Sequence, residues 1–143
     1  MRGNAKRIEA LRQRTGKAAD EIASAVGLSD AEYRDLEMFD DELITAPTLE
    51  QIKKLADAFG VPAPALFADQ PVAVPHRVSY AELLYRVNAH LAAGMSREAF
   101  EEEIGWELAA FFEGEARTHS FYGVEFLKAL CRHLDVWWMA ALP

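Results

Sequence analysis

Two pairs of glycines share one spacing in this chain, and that spacing limits the folds open to it. Gly16 and Gly27 lie 11 residues apart, as do Gly94 and Gly105. Between them TGKAADEIASAVGLS lies over AGMSREAFEEEIGWE. Further on, TLEQIKKLADAFGVPAPALF lies over YGVEFLKALCRHLDVWWMAAL, after a loop roughly three residues shorter. Apolar positions coincide along the overlay: Ile22 with Phe100, Val26 with Ile104, Tyr33 with Phe111, Leu49 with Val124, Ile52 with Leu127 and Leu55 with Leu130. Identity is low, but residue type and spacing agree. A unit repeated in this way buries its apolar face against its own copy or within itself, so the architecture of one half sets that of the other.

The unit is helical. Ile8 and Leu11 mark an apolar face on a first helix. A second runs to Gly27, a residue suited to a left-handed helix end. Ser29-x-x-Glu32 is a capping box opening a third helix, and Thr48-x-x-Gln51 opens a fourth, with Leu49, Ile52, Leu55 and Phe59 at helical spacing. Gly60 stops that helix, and Pro62 suits the first turn of a short fifth one ending at Leu66 and Phe67. In the second half Ser79-x-x-Glu82 caps the first helix, and Ser96 precedes REAFEEEI as a natural cap. ADQPVAVPHRV, with two prolines and little periodicity, reads as a linker. No segment alternates long enough for a strand. The expectation is an all-α fold of two tandem bundles of four to five short helices. Residues 1–68 form the first, 69–78 the linker and 79–143 the second.

Composition narrows the function classes. Half of the 143 residues are hydrophobic, which permits a core and argues against disorder. No apolar run reaches the roughly 20 residues of a bilayer span, and the basic N-terminus is not followed by the apolar stretch of a signal peptide, so a cytoplasmic location is expected. One cysteine excludes an internal disulfide and a cysteine-based zinc site. Net charge is −8 and unevenly spread. Residues 1–17 carry six cations and one acid, net +5; residues 18–50 carry ten acids and one arginine, net −9; residues 96–120 carry seven acids and two arginines, net −5.

The first half resembles the lambda-repressor-like, or XRE, family of helix-turn-helix domains. The resemblance rests on Leu11-Arg12 followed by Gly16, on Glu21-Ile22-Ala23, Gly27-Leu28-Ser29, Tyr33 and Leu36-Glu37, and on Pro47-x-Leu49 leading into Leu55-Ala56-x-x-Phe59-Gly60-Val61 and Leu66-Phe67. It covers residues 6–67; residues 80–142 are similar to the same domain more loosely. It implies five helices, a recognition helix over residues 29–37, and a cytoplasmic bacterial or phage-type regulator that binds double-stranded DNA, often as a dimer. A tandem copy would supply both halves of such a dimer. Within this resemblance Ala23 sits where helices two and three pack closely, and Tyr33 and Leu36 point inward. These are requirements of the fold and do not themselves bind DNA. The second half departs from the pattern: Glu101 stands at the position of Ala23, Gly114 at that of Leu36, and the reading helix becomes WELAAFFEGE.

The first reading helix, Ser29 to Glu37, holds four acids and one arginine. Base readout relies mainly on Arg, Lys, Asn and Gln, and affinity on phosphate neutralisation. Two hypotheses therefore stand. In the first, a DNA-binding regulator, Ser29, Asp30 and Arg34 lie nearest the bases. Phosphates are held by Lys6, Arg7, Arg12, Arg14 and Lys17, with Arg2. The second repeat then mimics or supplies a dimer partner. In the second, an acidic antitoxin-like or anti-activator-like module has lost DNA and binds a protein partner, through Trp106, Phe112, Trp137 and Trp138. Neighbouring aromatics on a helix diverge by about 100°, so one of Phe111/Phe112 and one of Trp137/Trp138 would face outward or into the other repeat.

The remaining constellations read as structural. Cys131 falls on the inward stripe Val124, Leu127, Leu130, Cys131 and Leu134, as a buried thiol. His119 and His133 have no i, i+4 histidine partner, and no metal site is expected. Asp40-Asp41-Glu42 and Glu101-Glu102-Glu103 lack the alternating ligands and central glycine of a calcium loop and read as solvated faces. No phosphate loop, dinucleotide fingerprint or nucleophile elbow occurs, so neither an enzyme, a cofactor nor a small-molecule ligand is expected.

Overall fold

The computed structural model describes residues 3–143; Met1 and Arg2 lie outside the described residues. Ten α-helices and two 3₁₀ turns follow one another, with no strand among the described residues. In the first half these are α1 (Asn4–Thr15), α2 (Ala19–Val26), α3 (Asp30–Met38), α4 (Glu42–Thr45), α5 (Leu49–Phe59) and a 3₁₀ turn at Ala63–Leu66. In the second they are α6 (Tyr80–Ala92), α7 (Arg97–Ile104), α8 (Ala109–Glu113), α9 (Glu115–Phe121), α10 (Val124–His133) and a 3₁₀ turn at Trp138–Ala141. No helix among the described residues is long and apolar enough to cross a membrane.

Local chemistry explains the boundaries. Ser29 Oγ accepts from the Glu32 amide while Glu32 Oε1 accepts from the Ser29 amide, closing the capping box that opens α3. Thr48 and Gln51 do the same for α5. Ser79 and Ser96 cap α6 and α7. The cap of α1 comes from elsewhere. Asp40 Oδ1 accepts from the Ala5 amide at 3.0 Å, and the Asn4 side chain donates to the Asp40 carbonyl. A side chain at Gly3 would collide with this carboxylate. Asp40, expected to be part of a solvated acid run, is thus a tertiary cap.

All twelve residues of the six overlaid apolar pairs are buried. They belong to one apolar cluster that runs through both halves. The halves also meet like for like. α5 packs on α9, and α10, the counterpart of α5, packs on α4. Between these contacts Thr48 and Gly123 form an isolated antiparallel bridge, with the Leu49 amide donating to the Tyr122 carbonyl at 2.8 Å. Thr48 and Gly123 occupy equivalent places, each just before the helix that opens with Leu49 or Val124.

The halves differ at the third helix. Where α3 runs nine residues to Met38, its counterpart α8 ends after five, and Gly114, with φ 137° and ψ 176°, leads directly into α9, the counterpart of α4. The hydroxyl of Tyr122 donates to the Glu107 carbonyl and accepts from the Phe111 amide, tying down the backbone around α8. Glu101 is accommodated because Oε2 accepts from the Leu108 amide at 2.6 Å and lies 3.6 Å from Arg97 Nε. A charge at the helix-packing position has become a cap.

Candidate functional site

The candidate site comprises α2, the turn after it and α3, with the cations of α1 expected to serve it. α3 buries Tyr33 and Leu36 and turns Asp30, Ala31, Glu32 and Arg34 to solvent, with Asp35 half-buried beside them. Arg34 is exposed and unpaired among the described residues. Ser29 spends its oxygen as acceptor on the helix cap, and Glu32 is held there too. That capping, through backbone and hydroxyl of Ser29, draws the Glu32 carboxyl below its ordinary pKa and keeps it ionised.

The cations divide into two groups. Arg7 is buried: its Nε lies 2.9 Å from Asp69 Oδ1, and its Nη1 donates to Asn4 Oδ1 and to the Leu66 carbonyl. It therefore clamps α1 to the end of the first half, in place of the phosphate contact expected of it. Arg12 makes a two-pronged pair with Glu37, Nε to Oε2 at 2.7 Å and Nη2 to Oε1 at 3.0 Å, and a third bond to the Lys17 carbonyl. Planar guanidinium and carboxylate groups match best in this geometry. The hydrogen bond to Glu37 raises the Arg12 pKa against the opposing effect of burial. Burial alone would raise the Glu37 carboxyl, but the bonds and charge of Arg12 hold it below the ordinary value. The fully buried Tyr33 adjoins this pair. Its hydroxyl makes no well-directed hydrogen bond, yet lies close enough to feel both charges. Burial first, then Glu37, pushes its pKa up. Arg12 therefore joins α1 to α3. Lys6, Arg14 and Lys17 remain exposed, with Lys6 3.8 Å from Glu9. Arg2 lies outside the described residues.

The acids are not neutralised in the same way. Asp20 and Glu21 stand exposed in the first turn of α2, Asp30 and Glu32 in that of α3, and Asp41 beyond it.

The aromatic surface expected on the second half is mostly inside it. Trp106 is half-buried, edge-on to Tyr122 and Phe126. Phe112 is half-buried under the Arg97 guanidinium, at 5.1 Å. Trp138 meets Phe67 of the first half edge-on at 5.1 Å, so it joins the halves. Trp137 alone of the four is exposed. Trp106, Phe112 and Trp138 pack at the edge of the apolar cluster. The exposed large apolar residues that the sequence reading missed include Met38 and Phe39, at the end of α3.

Cys131 is fully buried on its stripe, and burial pushes its thiol up to about 12. His119 is half-buried and its pKa lowered by that burial, against the pull of Glu115 and Glu50. A groove of about 790 Å³ lies between α1, the first 3₁₀ turn and residues 68–72; its polar walls include Arg14, and Arg7 and Asp69, which bind each other. No family model, no curated protein and no solved structure matches this chain.

Proposed function

We propose that this chain is a helix-turn-helix protein that has exchanged DNA for a protein partner, an acidic regulatory adaptor on a single-chain pseudo-dimer. The observation that carries the reading is the Arg12–Glu37 pair together with the burial of Arg7. Two cations that would meet phosphates are consumed inside the fold, while Asp20, Glu21, Asp30 and Glu32 stay exposed. With Arg7 and Arg12 taken up and acids flanking the cations that remain, the counterion release that drives non-specific DNA affinity is reduced. The second half supports the same reading. Its counterpart of α3, α8, is only five residues long, and α9 and α10 pack against the first half.

A second reading, the DNA-binding regulator, is favoured by one observation. Arg34 is exposed in the middle of α3, and Lys6, Arg14 and Lys17 are exposed as well. Titration of a labelled random duplex by fluorescence anisotropy, at roughly 50 and 200 mM salt where counterion release shows, separates the two. The adaptor reading expects no binding at either salt. Micromolar binding that collapses with salt and weakens in Arg34→Ala would replace it with the DNA reading.

A further inference from the structure

We propose that the solvent face of α3 is a docking surface for a basic amphipathic helix of a partner protein. The proposal rests on the adaptor reading and names its surface. Successive residues of a helix turn by about 100°. With Tyr33 and Leu36 buried, the direction opposite them is occupied by Ala31 and Met38, two turns apart on one line. Arg34 and Asp35 flank that line, with Asp30 at its start and Phe39 just past its end. Met38 is 60% exposed and Phe39 48%. Neither side chain belongs to the buried apolar cluster or to the residues packed against it. Methionine adapts its shape to what lies on it, and apolar contacts rimmed by charge mark partner surfaces.

Charge selects the occupant. Residues 18–50 carry a net −9, the nearest arginine of α1 is tied to Glu37, and Arg34 is the one cation of α3. A helix with an apolar seam at i, i+3 or i+4 and i+7, bordered by Lys and Arg, would lay the seam on Ala31, Met38 and Phe39. Its cations would then face Asp30, Asp35 and Asp41. A nucleic acid has no apolar seam to offer Met38, and its charge has the wrong sign.

The test uses the full-length, isotopically labelled protein and a synthetic amphipathic peptide of leucine and lysine, with a scrambled peptide of the same composition as control. Amide shifts on titration should concentrate on Ala31 to Phe39. The scrambled peptide should bind about tenfold more weakly, and Met38→Asp should lose a similar factor although it adds an acid. Since Met38 is exposed, an unchanged melting curve will show that this variant still folds. Equal binding of both peptides, or of Met38→Asp and the parent, would overturn the proposal by showing charge attraction alone. Shifts elsewhere, or no binding, would overturn it too, while leaving the adaptor reading to another surface. Salt-sensitive binding of the duplex that displaces the peptide from α3 would overturn the adaptor reading itself.

Discussion

Glu37 shows how one residue can decide what a surface does. Its carboxylate is taken up by Arg12, so neither group is offered to a partner. The side chains are 21% and 13% exposed, which places the pair between a surface bridge and a buried one. Removing one member costs about 1–2 kcal/mol on that ground. The folded-state pKa of Glu37 lies below its ordinary 4.5. The pair therefore contributes fully above pH 4.5, and its contribution is lost as pH falls from there through the folded value. Urea midpoints measured across this range should fall more steeply for the parent than for Glu37→Gln. Parallel curves would mean that the pair contributes nothing. The sequence showed Arg12 and Glu37 separately, one as a phosphate cation and one as a family position. Their pairing spans 25 residues and required the packing of α1 on α3 to become visible.

The element that distinguishes the halves is the third helix. In the first half it runs nine residues and is capped at Ser29; in the second its counterpart α8 is cut to five, and the chain is interrupted at Gly114 before α9. The backbone there, φ 137° and ψ 176°, is one that side chains rarely adopt, and open space surrounds the missing Cβ. Gly114→Ala therefore strains the backbone without a collision. It should destabilise the protein by about 1–2 kcal/mol, after a gain of about 0.5 kcal/mol from a stiffer unfolded chain. Chemical denaturation checks this; an unchanged or higher midpoint would mean that α8 and α9 can join as one helix. Helix starts were legible beforehand, because Ser29, Thr48, Ser79 and Ser96 act on amides within three residues of themselves. The break at Gly114 was not, since the sequence marked the position only as a departure from its counterpart Leu36. The Asp40 cap on α1 was hidden for a related reason: its donor lies 35 residues away.

At the scale of the whole molecule, the two halves bury one continuous core and meet about Thr48 and Gly123. A Cβ at Gly123 would sit 2.7 Å from the Pro47 carbonyl oxygen, a backbone atom that cannot yield. Gly123→Ala should push the halves apart locally and cost about 1–3 kcal/mol. All three tryptophans lie in the second half, so their fluorescence reports that half, while circular dichroism reports both. The two signals should melt together in the parent and move down together in the variant, as one cooperative unit requires. Separate transitions would show that the halves fold independently and that the contact is incidental. The same geometry explains Thr48 against Gly123: two copies of the first half would bring a threonine to the place where only glycine fits.

The amino-acid sequence by itself determined the all-α class, the helix starts capped by Ser29, Thr48, Ser79 and Ser96, and the identity of the overlaid core positions. Periodicity, capping and turn chemistry act over a few residues and leave their mark in the order of side chains. Only the tertiary structure decided which cations are spent inside the fold, which aromatics are buried and which acids remain at the surface. Those outcomes depend on pairs such as Arg7 with Asp69, Arg12 with Glu37 and Phe67 with Trp138. They are far apart in the chain, and whether a charge is free follows from packing, which local sequence does not encode.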